Sequence, residues 1–302
     1  MQLQKFQIRE AAKKPLFIVV LVISQFVYSS CFAKIQAKES DTSTKQVIST
    51  GQNTEVAQPA APAVDPRLEK LSVVLSSLSE KCKAAIPNGN PQEFLADLDR
   101  VLQAEEGFRK DDLSLFYLID KKHSVGSDYV PKDLVKLEKN SLFSISRNDL
   151  SLRPEAYKAL CEMSEASLQD GIKLLVSSTY RSYSYQQWLF QHWVDVDGLE
   201  EAERESARAG TSQHQLGTTV DFGSITDDFA QTEMGKWIYA HSEDYGWSLS
   251  FPMGYEDITG FRWECWHFRY IGKEACAFQK KWFSDVQQFM IEFLNAWKKE
   301  KK

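Results

Sequence analysis

At 302 residues, 43% hydrophobic and 26% charged, the chain has a globular composition and is long enough for one domain of about 150 to 200 residues with appendages. Eight Trp, eleven Tyr and eighteen Phe exclude a wholly disordered chain. With 42 acidic against 36 basic residues and a formal net charge of -6, there is no basic field to draw a phosphate backbone, which excludes nucleic acid as a partner.

Residues 1–33 read as a signal peptide or N-terminal anchor. Lys5, Arg9, Lys13 and Lys14 precede an unbroken apolar run, Leu16 to Ile23, which is short for a membrane span of about 20 residues. Cleavage near Cys31-Phe32-Ala33 is the first expectation, lipid attachment at Cys31 the second and an uncleaved membrane tether the third. All three imply export to the periplasm or cell envelope, where Cys82, Cys161, Cys265 and Cys276 could form disulfides. Residues 34–66, rich in Ser, Thr, Gln, Ala and Pro, bury too little apolar surface to order and read as a linker.

Residues 67–110 form a helical segment. Apolar residues at helical spacing predict one helix over Leu68 to Ala85 and another over Pro91 to Ala104. From 111 to 277 the pattern is mixed: strands at Leu113 to Asp120, Ile172 to Ser177, Trp247 to Phe251 and Trp263 to Tyr270, and helices at Arg153 to Gln169, Tyr185 to Trp193 and Glu233 to Tyr245. The order is α+β rather than regular βαβ. Residues 278–302 predict a docked amphipathic helix with Phe283, Val286, Phe289, Met290, Phe293 and Trp297 on one stripe.

Only five histidines occur, and two of them lie in Ser212-Gln-His214-Gln-Leu-Gly217-Thr-Thr-Val-Asp221 and Glu264-Cys-Trp-His267. His214, Asp221 and His267 suffice to hold a catalytic zinc ion with a position left open. A straight strand would stretch His214 and Asp221 about 23 Å apart, so the chain must turn back between them, and Gly217 is the natural place. Glu264 and His267 would fall on opposite faces of a regular strand, so a bend at Cys265-Trp266 is required. That bend sets a carboxylate beside the metal as a general base. Arg181, at the end of a buried strand, is the candidate cation for a developing oxyanion. His123, His192 and His241 read as ordinary surface or packing residues.

From about Leu115 to Gly272, roughly half the sequence, the chain resembles the VanY-like D-alanyl-D-alanine carboxypeptidases of the LAS metallopeptidase group, which includes lysostaphin and hedgehog relatives. The resemblance rests on Tyr129-Val-Pro131, Leu152-Arg-Pro-Glu-Ala156, Ser178-Thr-Tyr-Arg-Ser-Tyr183 with Gln186, and Ser206-Ala-Arg208. It continues through Ser212-Gln-His-Gln-Leu-Gly217 with Val220-Asp221, Gly235-Lys-Trp237, Tyr245-Gly246, Thr259-Gly260, Glu264 and Trp266-His-Phe-Arg-Tyr270. The resemblance implies a small antiparallel sheet flanked by helices around one zinc site, preceded here by the helical N-terminal segment. It implies zinc at His214, Asp221 and His267, the base at Glu264, Arg181 at the reacting carbonyl, and Ser212, Gln186 and Tyr180 in substrate binding. The implied reaction removes the C-terminal D-amino acid of peptidoglycan stem peptides. The alternatives are an L,D-carboxypeptidase acting on tetrapeptides and a non-catalytic zinc-containing cell-wall-binding protein. Members commonly carry Pro between the base and Trp; Cys265 stands there in this chain, so other contacts must hold the bend.

Overall fold

Ser79 sets the first difference from the expected elements. Its side chain accepts the Cys82 backbone N–H at 3.2 Å, an N-cap that starts a new helix. The single helix expected over Leu68 to Ala85 is therefore two, α1 (Arg67–Ser77) and α2 (Glu80–Ala85). The computed structural model describes residues 65–108 and 113–300. The signal segment, and the linker apart from Asp65 and Pro66, lie outside the described residues. No described helix is long and apolar enough to cross a membrane. Helix α3 (Pro91–Glu106) opens with Pro91 in its first turn and Asn90 capping Gln92 at 2.9 Å, and it buries Phe94, Leu95, Leu98 and Val101.

The strand expected over Leu113 to Asp120 is absent. Leu115, Phe116, Leu118 and Ile119 are buried, but the segment joins no sheet. The carbonyls of Leu115 and Tyr117 instead accept from Nη2 of buried Arg269, at 2.8 and 3.0 Å. Its alternating pattern reports burial, and the hydrogen bonds of a ladder are supplied by one guanidinium.

Two short strands, β1 (Val135–Lys136) and β3 (Ser151–Leu152), pair antiparallel. The main sheet holds β2 (Ser144–Ile145), β4 (Leu175–Ser178), β5 (Thr219–Phe222), β6 (Trp247–Leu249) and β7 (His267–Tyr270). Its spatial order is β2-β4-β5-β7-β6. The β2–β4 pairing is parallel and the other three are antiparallel, so the sheet expected to be antiparallel is mixed. Around it lie α4 (Pro154–Gln169), α5 (Tyr183–Asp197), α6 (Leu199–Glu205), α7 (Glu233–His241), α8 (Glu256–Thr259), α9 (Lys273–Trp282) and α10 (Gln287–Lys299).

The sheet separates two kinds of surface. Val176, Val220, Phe222, Trp247 and Phe268 pack with α4 and α7 residues in one core. Thr219, Asp221, His267 and Arg269 alternate with them along β5 and β7 and form the polar face. A second core joins α1 and α3 to α9 and α10. At its centre Phe94 meets Phe278, Trp282 and Phe293 edge-on at centroid distances of 5.1, 5.1 and 5.2 Å. The helix expected over 278–302 is interrupted: Ser284 and Asp285 adopt φ of 50° and 61°, which separates α9 from α10. The six stripe residues are nevertheless all buried. Cys82, Cys161, Cys265 and Cys276 are free thiols.

Candidate active site

The site begins with strand register. Asp221 on β5 stands directly opposite His267 on β7, while Val220 opposes Phe268 and faces the core. Directly opposed residues share a face with Cβ atoms about 4.5–5.5 Å apart, so two metal-type side chains meet across one rung. His214 arrives from a 3-10 turn, Gln213–Leu216, which Ser212 Oγ caps by accepting the His214 N–H at 3.3 Å. The turn closes on Gly217 at φ 70°, and β5 follows at once. The expected reversal lies at that glycine. Cys265 and Trp266 form a turn, with the His267 N–H donating to the Glu264 carbonyl at 3.2 Å, which is the expected bend. The Cys265 thiol donates to the carbonyls of Thr226 and Asp227 at 3.5 and 3.7 Å, tying that turn to the loop after β5.

A register shift between Val176 and Ser178 bulges β4 against Asp221 and Phe222. Such bulges re-aim the chain that follows. Here they bring Thr179 O to 2.6 Å from His214 Nδ1 and Arg181 Nη2 to 2.6 Å from Asp221 Oδ2. Arg181 also donates to Ser178 Oγ at 2.9 Å and to Gln186 Oε1 at 3.4 Å.

One ligand atom from each of His214, Asp221 and His267 lies within 4.8 Å of the others. His214 Nε2 is 3.2 Å from Asp221 Oδ2, and His267 Nδ1 is 3.2 Å from Asp221 Oδ1 and 3.3 Å from Glu264 Oε2. Close as they are, His214 Nε2 and Asp221 Oδ1 have no hydrogen-bond partner. Buried polar atoms are ordinarily satisfied, and two nitrogens and a carboxylate oxygen with lone pairs converging on one point fit a divalent ion.

Electrostatics favour a neutral His214 and an ionised Asp221, and draw protons toward Glu264 and His267. Burial, with Arg181 nearby, pushes His214 down to about 4, so it is neutral near pH 7. Burial alone would raise Asp221, but its interactions with His214, Arg181 and His267 outweigh it and hold the carboxyl well below the usual range. Burial raises Glu264, with His267 offsetting only part. In His267 burial opposes the charged form, but hydrogen bonding and attraction from Asp221 and Glu264 prevail and raise it.

The four groups lie at a cleft of about 280 Å³, with Ser212, Arg181, Trp193, Phe251 and Arg262 on its walls. Gln186 does not line it: its Nε2 donates to Ala207 O at 2.8 Å and its Oε1 faces Arg181. Tyr180 is also off the wall, its backbone N–H donating to Ser151 O at 3.1 Å. Sequence reasoning passed over Gln213, Ser250 and Gln287, which link His267 to α10. Nothing in their spacing marks them.

The family model described as VanY, D-alanyl-D-alanine carboxypeptidase, matches residues 149–273. Among curated proteins, the putative carboxypeptidase YodJ of Bacillus subtilis (strain 168) is 33% identical over 168 residues, 54% of this chain and 62% of that protein. The D-alanyl-D-alanine carboxypeptidase of Enterococcus faecium is 28% identical over 190 residues, 61% of this chain and 58% of the relative. The chain thus spans about six tenths of the length of these relatives. Among solved structures, the LdcB LD-carboxypeptidase is 28% identical with a TM-score of 0.53, covering 62% of this chain and 92% of that one. The segment that builds the site is carboxypeptidase-like in sequence and in mixed α+β fold. The match to the VanY family model contains Arg181, Ser212, His214, Asp221, Glu264 and His267 and stops short of α10.

Proposed function

We propose that this chain is a zinc-dependent D-alanyl-D-alanine carboxypeptidase that removes the C-terminal D-amino acid from peptidoglycan stem peptides. The observation that carries the reading is the buried convergence of His214, Asp221 and His267 on one point, with Glu264 beside it at an open cleft. Left without an ion, unpaired buried acceptors cost about 1–3 kcal/mol each, so a site of this kind is built to be filled. When bound, zinc supplies a Lewis acid that polarises the scissile carbonyl and makes water acidic.

The chain's own groups divide the remaining work. Glu264, whose burial raises its proton affinity, takes the proton of the attacking water and passes it to the departing amine. Arg181, anchored by Asp221 and Ser178, faces the negative charge that develops on the carbonyl oxygen. Ser212 binds the terminal carboxylate, and Gln186 acts by holding Arg181. Tyr180, off the cleft wall, drops out of the binding set. Export through the N-terminal segment, which would also serve as a membrane tether if uncleaved, belongs to the same proposal, and cell fractionation tests it.

A second reading, L,D-carboxypeptidase on tetrapeptides, is favoured by the structural likeness to LdcB, whose structure is described for peptidoglycan recognition. The test is incubation of the full chain with stem pentapeptide and tetrapeptide, with and without chelator, followed by mass spectrometry. D-Ala released from pentapeptide, lost with chelator and restored by zinc, supports the proposal. Cleavage of tetrapeptide alone replaces it with the L,D reading. No release from either leaves a zinc-containing wall-binding protein.

A further inference from the structure

We infer that Gln213, backed by Gln287 of α10, is a positioning residue for His267, fixing which imidazole nitrogen is free to bind metal. The inference rests on the metal reading above and extends it to a helix outside the family match.

The two histidines present opposite nitrogens. His214 donates Nδ1–H to the Thr179 carbonyl at 2.6 Å and leaves Nε2 for an ion. His267 turns Nδ1 toward the point that Asp221 and Glu264 also face; for Nδ1 to give its lone pair to an ion there, the proton must sit on Nε2. That Nε2 lies 3.3 Å from Gln213 Oε1. An amide oxygen only accepts, so the contact selects the Nε2–H tautomer, provided the amide is not reversed.

Its direction follows from the rest of the chain of contacts. Gln287 Nε2 donates to the backbone carbonyl of Ser248 at 3.2 Å, a partner that can only accept. Gln287 Oε1 therefore faces back toward Gln213 Nε2 at 3.5 Å and Ser250 Oγ at 3.3 Å. Gln213 Oε1 is then left to accept from Ser250 Oγ at 2.7 Å and from His267. One backbone carbonyl on β6 thus sets the polarity of every link up to the imidazole. Gln213, Ser250, Gln287 and His267 are all at least nine-tenths buried, so water does not compete for the links. Partners of metal-binding histidines of this kind typically change metal affinity 10–100-fold when removed.

The test uses the full chain and measures zinc affinity by chelator competition, with the visible spectrum of the cobalt-substituted protein as a geometric readout. Gln213→Leu should lose about 10–100-fold in affinity and alter the spectrum. Gln213→Glu, which keeps an acceptor at the same place, should retain both. Gln287→Leu should move affinity in the same direction as Gln213→Leu. Asp97→Asn is the control for general destabilisation: Asp97 is buried but bonds Lys281 and Trp282, off the path, so its affinity should match the parent's. Parental affinity and spectrum in Gln213→Leu, or an equal loss in Asp97→Asn, would overturn the inference while leaving the zinc site standing. A parent chain that binds no metal overturns the metal reading and this inference with it.

Discussion

Gly217 ends the turn that carries His214, and its φ of 70° suits a residue without Cβ. A Cβ there would sit 2.9 Å from Leu134 Cδ2 and 3.1 Å from Arg153 Cγ. Gly217→Ala should therefore cost about 1–2 kcal/mol from the left-handed backbone alone, with zinc affinity falling because His214 shifts; thermal melting and chelator titration measure the two. Glu264→Gln should leave zinc bound while lowering turnover about 10²-fold or more, the usual contribution of a general base; metal analysis beside peptide release reads both, and full activity in that variant removes Glu264 as the base. At this scale the sequence was legible where chemistry and geometry coincide. A His, an Asp and a glycine between them imply a reversal, and Glu264 so near His267 implies a bend. Gln213 and Gln287 were not legible: they are 74 positions apart, and amides carry no periodicity that would join them.

Among the elements, α3 and α9 are joined by the buried Asp97 carboxylate as well as by the aromatic core. Asp97 accepts from Lys281 Nζ at 2.7 Å and Trp282 Nε1 at 2.8 Å. Burial alone would raise Asp97, but the bonds from Lys281 and Trp282 outweigh it and its proton affinity falls below the usual value of 3.8. The sign follows: a depressed folded value favours the folded state above 3.8, and the benefit is lost as pH falls through the depressed value. Asp97→Asn should lose about 1–3 kcal/mol near neutrality. The gap from the parent should close as pH falls below 3.8 and through the depressed value, read from urea midpoints. A gap independent of pH would mean that packing, and not the charge, accounts for the loss. Element boundaries were readable where a cap or proline marks them, as at Pro154 and Asn90. They were misread where tertiary bonds intervene. Arg269 replaces a ladder for residues 113–120, and strands of two to four residues are too short to show a period.

For the whole molecule, α10 is part of the core and not an appendage to it. It buries Phe289, Met290, Ile291, Phe293, Leu294 and Trp297. At roughly 1.5–3 kcal/mol per large apolar side chain, its removal outweighs a typical total stability of about 5–15 kcal/mol. A chain ended after residue 286 should lack a cooperative melting transition and bind no zinc, although the VanY match lies wholly upstream. Retained melting and zinc binding would show that residues 149–273 hold their own fold.

The pairing of α1 and α3 with α9 and α10 also orders events in time. Asp97 waits 184 positions for Lys281. A ribosome adding about 5–20 residues each second has long released Phe94 before Phe293 is made. Helices α1 and α3 thus emerge without the surface that covers them. A nascent chain cannot complete this core until α10 is clear of the exit tunnel, and until then it stays threadable through a narrow pore.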